Sequence, residues 1–264
     1  MKKLLMLLAA SLVFTACSSG SKDAKNENAE KSETKVESKA SGDLLEDGVL
    51  TVGTSVDFPP YEFYEGDKVV GIDPEVMEKI GEKLGVKVEF KDMDFNNIIA
   101  SIQSGRVDMG AAGMTVDAER LKNVDFTDSY ANSTQVLLVK KGSDIKTVDD
   151  AKGKKIGTQL GTVGDAYAQN DFGKDSVSSF NKYPDAVLAL QNGKIDCILM
   201  DNTTAKQFVE ANDDLEILDS EYANEDYAFA IGKGNDETLK KINDIIKELK
   251  DDGTLDEIIG KYIK

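Results

Sequence analysis

The feature that most constrains this chain is a strand–helix alternation that starts, runs for about sixty residues, and then starts over. Residues 49–54 (VLTVGT) have the composition of a short buried strand. A loop with Pro59 and Pro60 follows, then Gly71-Ile72-Asp73-Pro74. Asp73 suits a helix N-cap and Pro74 the first helical position. Val76, Ile80 and Leu84 form one apolar helix face, and Gly85 ends it. Residues 86–90 are the next predicted strand. Asp94 is expected to cap a helix through Ile98 and Ile102, stopped by Gly105, and residues 106–112 return as a strand. Strand, helix, strand, helix, strand is the signature of a parallel sheet with helices on both faces.

The pattern recurs. GKKIGTQ at 153–159 echoes GVLTVGTS at 48–55, and AVLALQNGKIDCIL at 186–199 echoes IIASIQSGRVDMGA at 98–111. The echo favours two α/β lobes of similar build. It also separates the two arginines. Of 32 Lys plus Arg, only Arg106 and Arg120 are Arg. Lys194 falls opposite Arg106, so a simple cation serves there and Arg106 reads as structural. Arg120 has no such counterpart. A planar guanidinium grips a carboxylate through two parallel hydrogen bonds, which an ammonium cannot do. Arg120 is therefore the candidate carboxylate clamp, with Gly113 and Thr115 a few residues before it.

The rest of the chain supports that frame. Residues 209–226 are acidic and contain the strand-like LEIL, and 227–231 (YAFAI) are apolar. Leu239, Ile242, Ile246 and Leu249, then Leu255, Ile258, Ile259 and Tyr262, have the spacing of two packed helices. Cys197 lies in an apolar run and is expected to be a buried, inert thiol.

Composition removes several functions. The net charge of −17 argues against a nucleic-acid partner, since phosphates call for clustered Lys and Arg. With no His and two Cys, zinc clusters and His-based catalytic triads are excluded. The N-terminus, MKKLLMLLAASLVFTAC, has a basic start, an apolar run too short to span a bilayer, and small Ala16 before Cys17. It predicts an export signal over 1–16. Cys17 resembles the acylated residue of a bacterial lipoprotein, although Phe14 departs from the usual Leu. Residues 17–42 are polar and rich in Ser, Lys and Glu, and predict a disordered tether.

Four stretches carry a family resemblance: TVGTSVDFPPYEF, GIDPEVMEKIGEKLG, IIASIQSGRVDMGAAGMTVDAERLKNVDFTDSY and LKDDGTLDEIIGKYI. They resemble the extracytoplasmic solute-binding proteins of polar amino-acid ABC transporters, the type II periplasmic-binding-protein fold. The resemblance implies two α/β lobes, each a mainly parallel sheet flanked by helices, joined by two crossing strands, with ligand in the cleft. Lobe 1 would be 43–133 plus 225–264, and lobe 2 residues 134–224. It further implies a polar L-amino acid as ligand, an ABC permease as partner, an extracytoplasmic place either on the membrane outer face through the lipid or in the periplasm, a monomer, and no cofactor, metal or catalytic residue.

The same resemblance distributes the site. Arg120 would hold the ligand carboxylate, with Thr115 donating and Ala112 and Gly113 admitting the backbone closely. Gly161-Thr162-Val163-Gly164 leads into a predicted helix whose free N–H groups favour an anion. Asp201 matches the acid that pairs with the α-ammonium, and its place after a strand also suits a helix cap. Phe58 and Phe95 match the aromatic walls. Ser55 and Gln159 match positions that meet the ligand side chain. Two neutral groups there favour a polar uncharged side chain over a basic one, with Asp57 close enough to supply a charge. The alternatives are an arogenate or cyclohexadienyl dehydratase-like enzyme on this fold, and a sensory amino-acid-binding module.

Overall fold

A computed structural model describes residues 44–219 and 221–263, all within one compact unit. The export signal, Cys17, the tether and Asp43 lie outside the described residues. β1 (Val49–Thr54) is followed by the hairpin of β2 (Phe63–Glu65) and β3 (Lys68–Val70), then by α1 (Ile72–Leu84), β4 (Lys87–Asp92), α2 (Ile98–Gln103), β5 (Met109–Gly110) and β6 (Val124–Phe126). The chain then enters β7 (Ala131–Lys140), β8 (Ile156–Gln159), α3 (Val163–Phe172), β9 (Val177–Phe180), α4 (Tyr183–Gln191), β10 (Cys197–Asp201), α5 (Asn202–Ala211) and β11 (Leu215–Ile217). It comes back through β12 (Ala223–Tyr227) to β13 (Ala230–Gly232), and ends with α6 (Asp236–Asp251) and α7 (Thr254–Tyr262).

Two sheets result. The first has the order β4-β1-β5-β13-β6, the second β11-β7-β10-β8-β9 with β12 also on β7. Each keeps a parallel set, β4-β1-β5 and β10-β8-β9. Both sheets are more mixed than a mainly parallel one. The reason is the crossover: β13 returns from the second sheet and runs antiparallel to β5 and β6. β7 likewise enters antiparallel to β10 and pairs with the returning β12 over 131–135 and 223–227.

The core follows the apolar pattern. Leu50 and Val52 of β1 are fully buried with Val76, Met77 and Ile80 of α1 and with Ile242 and Ile246 of α6. Cys197 is a buried free thiol whose pKa burial pushes up to about 12, so at neutral pH it carries no thiolate. Arg106 and Lys194 are both exposed.

Local expectations fail at three places. Asp73 does not cap α1. The first free N–H groups of that helix are taken by backbone: Ile72 N donates to Pro60 O (3.1 Å) and Asp73 N to Tyr61 O (3.0 Å). The N-cap position is Gly71, and the Asp73 side chain turns inward. Asp94 makes no capping bond to the turn at Phe95–Asn97 that precedes α2; it accepts instead from Asn181 Nδ2 at 3.1 Å. The strand expected over 106–112 pairs only at Met109–Gly110. Arg106 N and Val107 N are spent on Ser101 O at the end of α2, and the last bond to β1 is from Ala111 N to Gly53 O at 2.9 Å.

Candidate functional site

Parallel strands bring their carboxyl ends to one side, which is where open α/β sheets bind ligands. β1 ends into a loop over 55–62, β5 into 111–120, and β8 into 160–163 and the start of α3. A small cavity, with free space of only about 20 Å³, lies among these loops and the crossing strands.

At one end is Arg120, buried to 7 % exposure. Its side chain is fixed on several sides. Nε faces Asp117 Oδ2 at 3.2 Å, Nη1 donates to Thr115 O at 2.7 Å, and Nη2 to Gly161 O at 3.1 Å across in the second half. The Phe95 ring sits beneath it, 5.2 Å from Cζ, a cation–π contact. A guanidinium has five N–H donors, so one remains uncommitted on each terminal nitrogen. Burial lowers the Arg120 pKa, and Asp117 and Glu225 offset that in part.

Beside Arg120 stand Thr115, Ala112 and Gly113. Gly113 has φ +51, and a Cβ there would sit 2.6 Å from Phe58 Cε1; the ring and the loop meet only because that side chain is missing. From the second sheet come Thr162 and Val163. Thr162 is the N-cap of α3: its hydroxyl accepts from Asp165 N at 3.1 Å. The first N–H groups of a helix lack internal acceptors, so this end favours an anion from a second direction.

The far wall is aromatic and acidic. Phe58 stacks on Tyr61 (5.3 Å) and Tyr183 (5.9 Å), and Tyr227 packs edge-on against Tyr61 (5.1 Å). Asp57 joins the halves, accepting from Ser55 Oγ (2.7 Å), Gln159 Nε2 (3.2 Å) and Tyr183 N (3.0 Å). Burial raises its pKa despite those donors. Asp73 accepts from Gly113 N at 3.0 Å and from the Tyr130 hydroxyl, and burial pushes it up to about 7. Asp201 accepts from Thr204 N (2.7 Å) and the Tyr227 hydroxyl (3.1 Å); burial raises it to about 6.

Nine of the eleven residues expected at the ligand line this cavity: Phe58, Phe95, Ala112, Gly113, Thr115, Arg120, Gln159, Thr162 and Val163. Ser55 and Asp201 do not. The Ser55 hydroxyl is turned to Asp57. Asp201 caps α5 and lies fully buried behind the Tyr227 hydroxyl. Sequence reasoning missed Glu62, Gln135, Tyr183 and Tyr227, which also line the cavity. Gln135 carried a signal: it is a polar residue at the head of the apolar stretch VLLV. Tyr227 carried none, since its strand reads as plain core.

The sequence profile of the bacterial extracellular solute-binding proteins, family 3, matches residues 50–264. The arginine-binding extracellular protein ArtP of Bacillus subtilis (strain 168) is 32 % identical over 99 % of this chain and 98 % of its own length. Among solved structures, an ancestral arginine-binding protein bound to arginine superposes with a TM-score of 0.78 at 42 % identity, covering 82 % of this chain and 99 % of the other. An ancestral arginine-binding protein bound to glutamine gives 0.78 and 42 %, covering 81 % and 97 %. With the profile matched over most of its length, and relatives of known structure at that identity, this chain belongs to the bacterial extracellular solute-binding proteins, family 3.

Proposed function

We propose that this protein is the substrate-binding component of an amino-acid ABC transporter, which takes up one free L-amino acid and hands it to a permease. The observation that carries this is Arg120: a buried guanidinium with two uncommitted N–H groups, lining the same cavity as the N-terminus of α3. An α-carboxylate meets donors there from both halves. A carboxylate that takes up those two N–H groups and the α3 N-terminus together bridges the two halves, so the ligand also favours the closed form. On this reading the lobes are 43–133 plus 225–264 and 134–224, and they close about the paired β7 and β12. No step of it calls for catalysis, and the family supplies no support for the dehydratase alternative.

The chain is exported by residues 1–16, acylated at Cys17, and held as a monomer on a tether at the outer face of the membrane. Calorimetric titration with the common L-amino acids should give micromolar or tighter binding for at least one of them, and mass spectrometry of the purified protein should identify what it carries. Binding of none would end this reading. Cys17→Ser should move the protein from the membrane to the soluble fraction without changing its affinity; retention of the variant on the membrane would remove the lipid anchor from the account.

A further inference from the structure

The two halves also touch away from Arg120. Three consecutive residues after β9 each meet an acid of the first half. Asn181 Nδ2 donates to Asp94 Oδ2 at 3.1 Å, Lys182 Nζ faces Asp92 Oδ1 at 3.8 Å, and Tyr183 N donates to Asp57 Oδ2 at 3.0 Å. Gln159 Nε2 is a second donor to Asp57 at 3.2 Å. It also donates to Asn181 O at 3.1 Å, which ties the receiving segment to the end of β8. The acids come from one edge. β1 and β4 are paired neighbours; Asp57 follows the first, and Asp92 is the last residue of the second. Asp92 is steadied by Val56 N at 3.2 Å and the Tyr64 hydroxyl at 3.4 Å. Asp57, Asp92, Asp94, Asn181 and Lys182 all lie outside the cavity lining.

Local chemistry explains why the halves meet there. α4 begins behind Lys182, whose side chain has no oxygen to accept from the helix, and no side-chain bond from that position caps it. The first N–H groups of a helix lack internal acceptors. Asp57 supplies an acceptor from the other half, and its negative charge suits that end of the helix. The second half thus presents two helix starts to the first. The start of α3 borders the cavity, and the start of α4 is filled by the chain's own carboxylate. Burial works against the Asp57 charge, and Ser55, Tyr183 N and Lys182 offset it. Two of those three belong to the second half. With the halves apart, water serves these donors and acids; with the halves together, they serve each other.

We propose that Asp57, Asp92 and Asp94, received by Asn181, Lys182 and Tyr183, form a closing seam that sets how long a ligand is held without touching it. The inference rests on the lobe division and the amino-acid reading above. Contacts made only on closure act on escape and not on first encounter, so the seam governs the dissociation rate. Lys182 is the point at which to probe it. Its side chain is 35 % exposed, and its charge acts on both Asp92 and Asp57.

The test is stopped-flow kinetics with the common L-amino acids as probes. Lys182→Glu places a fourth acid on the seam. It should raise the dissociation rate about tenfold and leave the association rate within about twofold of wild type, since like charges brought together at an interface are disfavoured. Asp92→Lys in the same chain should bring the rate back to within about threefold of wild type, a rescue that general loss of structure does not allow. Asp57→Ala leaves Tyr183 N and Gln159 Nε2 without their acceptor in the closed form. It should weaken binding by about 10–100-fold, again through dissociation. An unchanged dissociation rate in Lys182→Glu, or a loss that Asp92→Lys does not recover, would overturn this inference and leave the amino-acid reading intact. Slower association in Asp57→Ala, with dissociation unchanged, would make Asp57 a contact met before closure and remove it from the seam. Binding of no common L-amino acid to the wild-type protein would overturn the amino-acid reading, and the seam's role with it. Should Asp57→Ala fail to fold, the exposed Lys182→Glu and its Asp92→Lys partner decide the question.

Discussion

Arg120→Ala should weaken ligand binding by roughly 10²–10³-fold, because an amino-acid carboxylate would be shut in the cavity without its counter-charge. Breaking a buried ion pair costs about 3–5 kcal/mol, and each 1.4 kcal/mol is about a factor of ten. Arg120→Lys should recover only part of this, leaving a loss of about 10–100-fold. A lysine keeps the charge. It cannot reach Asp117, Thr115 O and Gly161 O at once and still present N–H groups to a ligand, as the guanidinium does. Melting without ligand should change far less than affinity, since the carbonyls released by the substitution border a cavity that water can enter. Titration of both variants with the native ligand checks this. A lysine variant that binds as tightly as wild type would show that the forked geometry is immaterial, and the carboxylate assignment would fail with it.

How much of this was legible in the chain depends on the range of the interaction. β1 was read correctly because VLTVGT is an apolar run bounded by loops, and its pairing with β4 and β5 needs no further information. Arg120 was legible through scarcity: in a lysine-rich chain its guanidinium needed a reason. Thr162 and its glycines carried the local chemistry of a helix start, and α3 begins there. Asp73 was misassigned for the opposite reason. Nothing local to Gly71-Ile72-Asp73-Pro74 reveals that carbonyls from residues 60 and 61 take the helix N–H groups and release the carboxylate to Gly113, forty positions on. Ser55 was misread in the same way, since its hydroxyl is spent on a neighbour two residues away that also reaches Gln159 and Tyr183. The acidic wall thus depends on hydrogen bonds between segments 26 to 126 residues apart, and no single stretch encodes it.

Gly71→Ala should destabilise the fold by about 3 kcal/mol or more and disturb the site from outside it. Gly71 has φ +131, and a Cβ at that position would lie 2.2 Å from Tyr61 O and 2.9 Å from Pro60 O. Both obstacles are backbone, and both are the carbonyls that receive the first N–H groups of α1. The added methyl must therefore push the loop away from the helix it caps. Backbone strain of about 1–3 kcal/mol adds to an overpacking cost of about 1–3 kcal/mol, and the displaced carbonyls leave helix donors unmet. The same loop carries Phe58, Tyr61 and Glu62, whose rings and carboxyl form the far wall, so ligand affinity should fall together with stability. Gly66→Ala is the control. Its φ of +62 is also left-handed, yet a Cβ there meets nothing within 4 Å, so it should cost only about 1–2 kcal/mol and leave binding unchanged. Urea denaturation of the two variants, each with a ligand titration, separates close approach from backbone preference. Equal losses in the two proteins would mean that the glycine at 71 serves its dihedral alone, and that the loop is not wedged against α1.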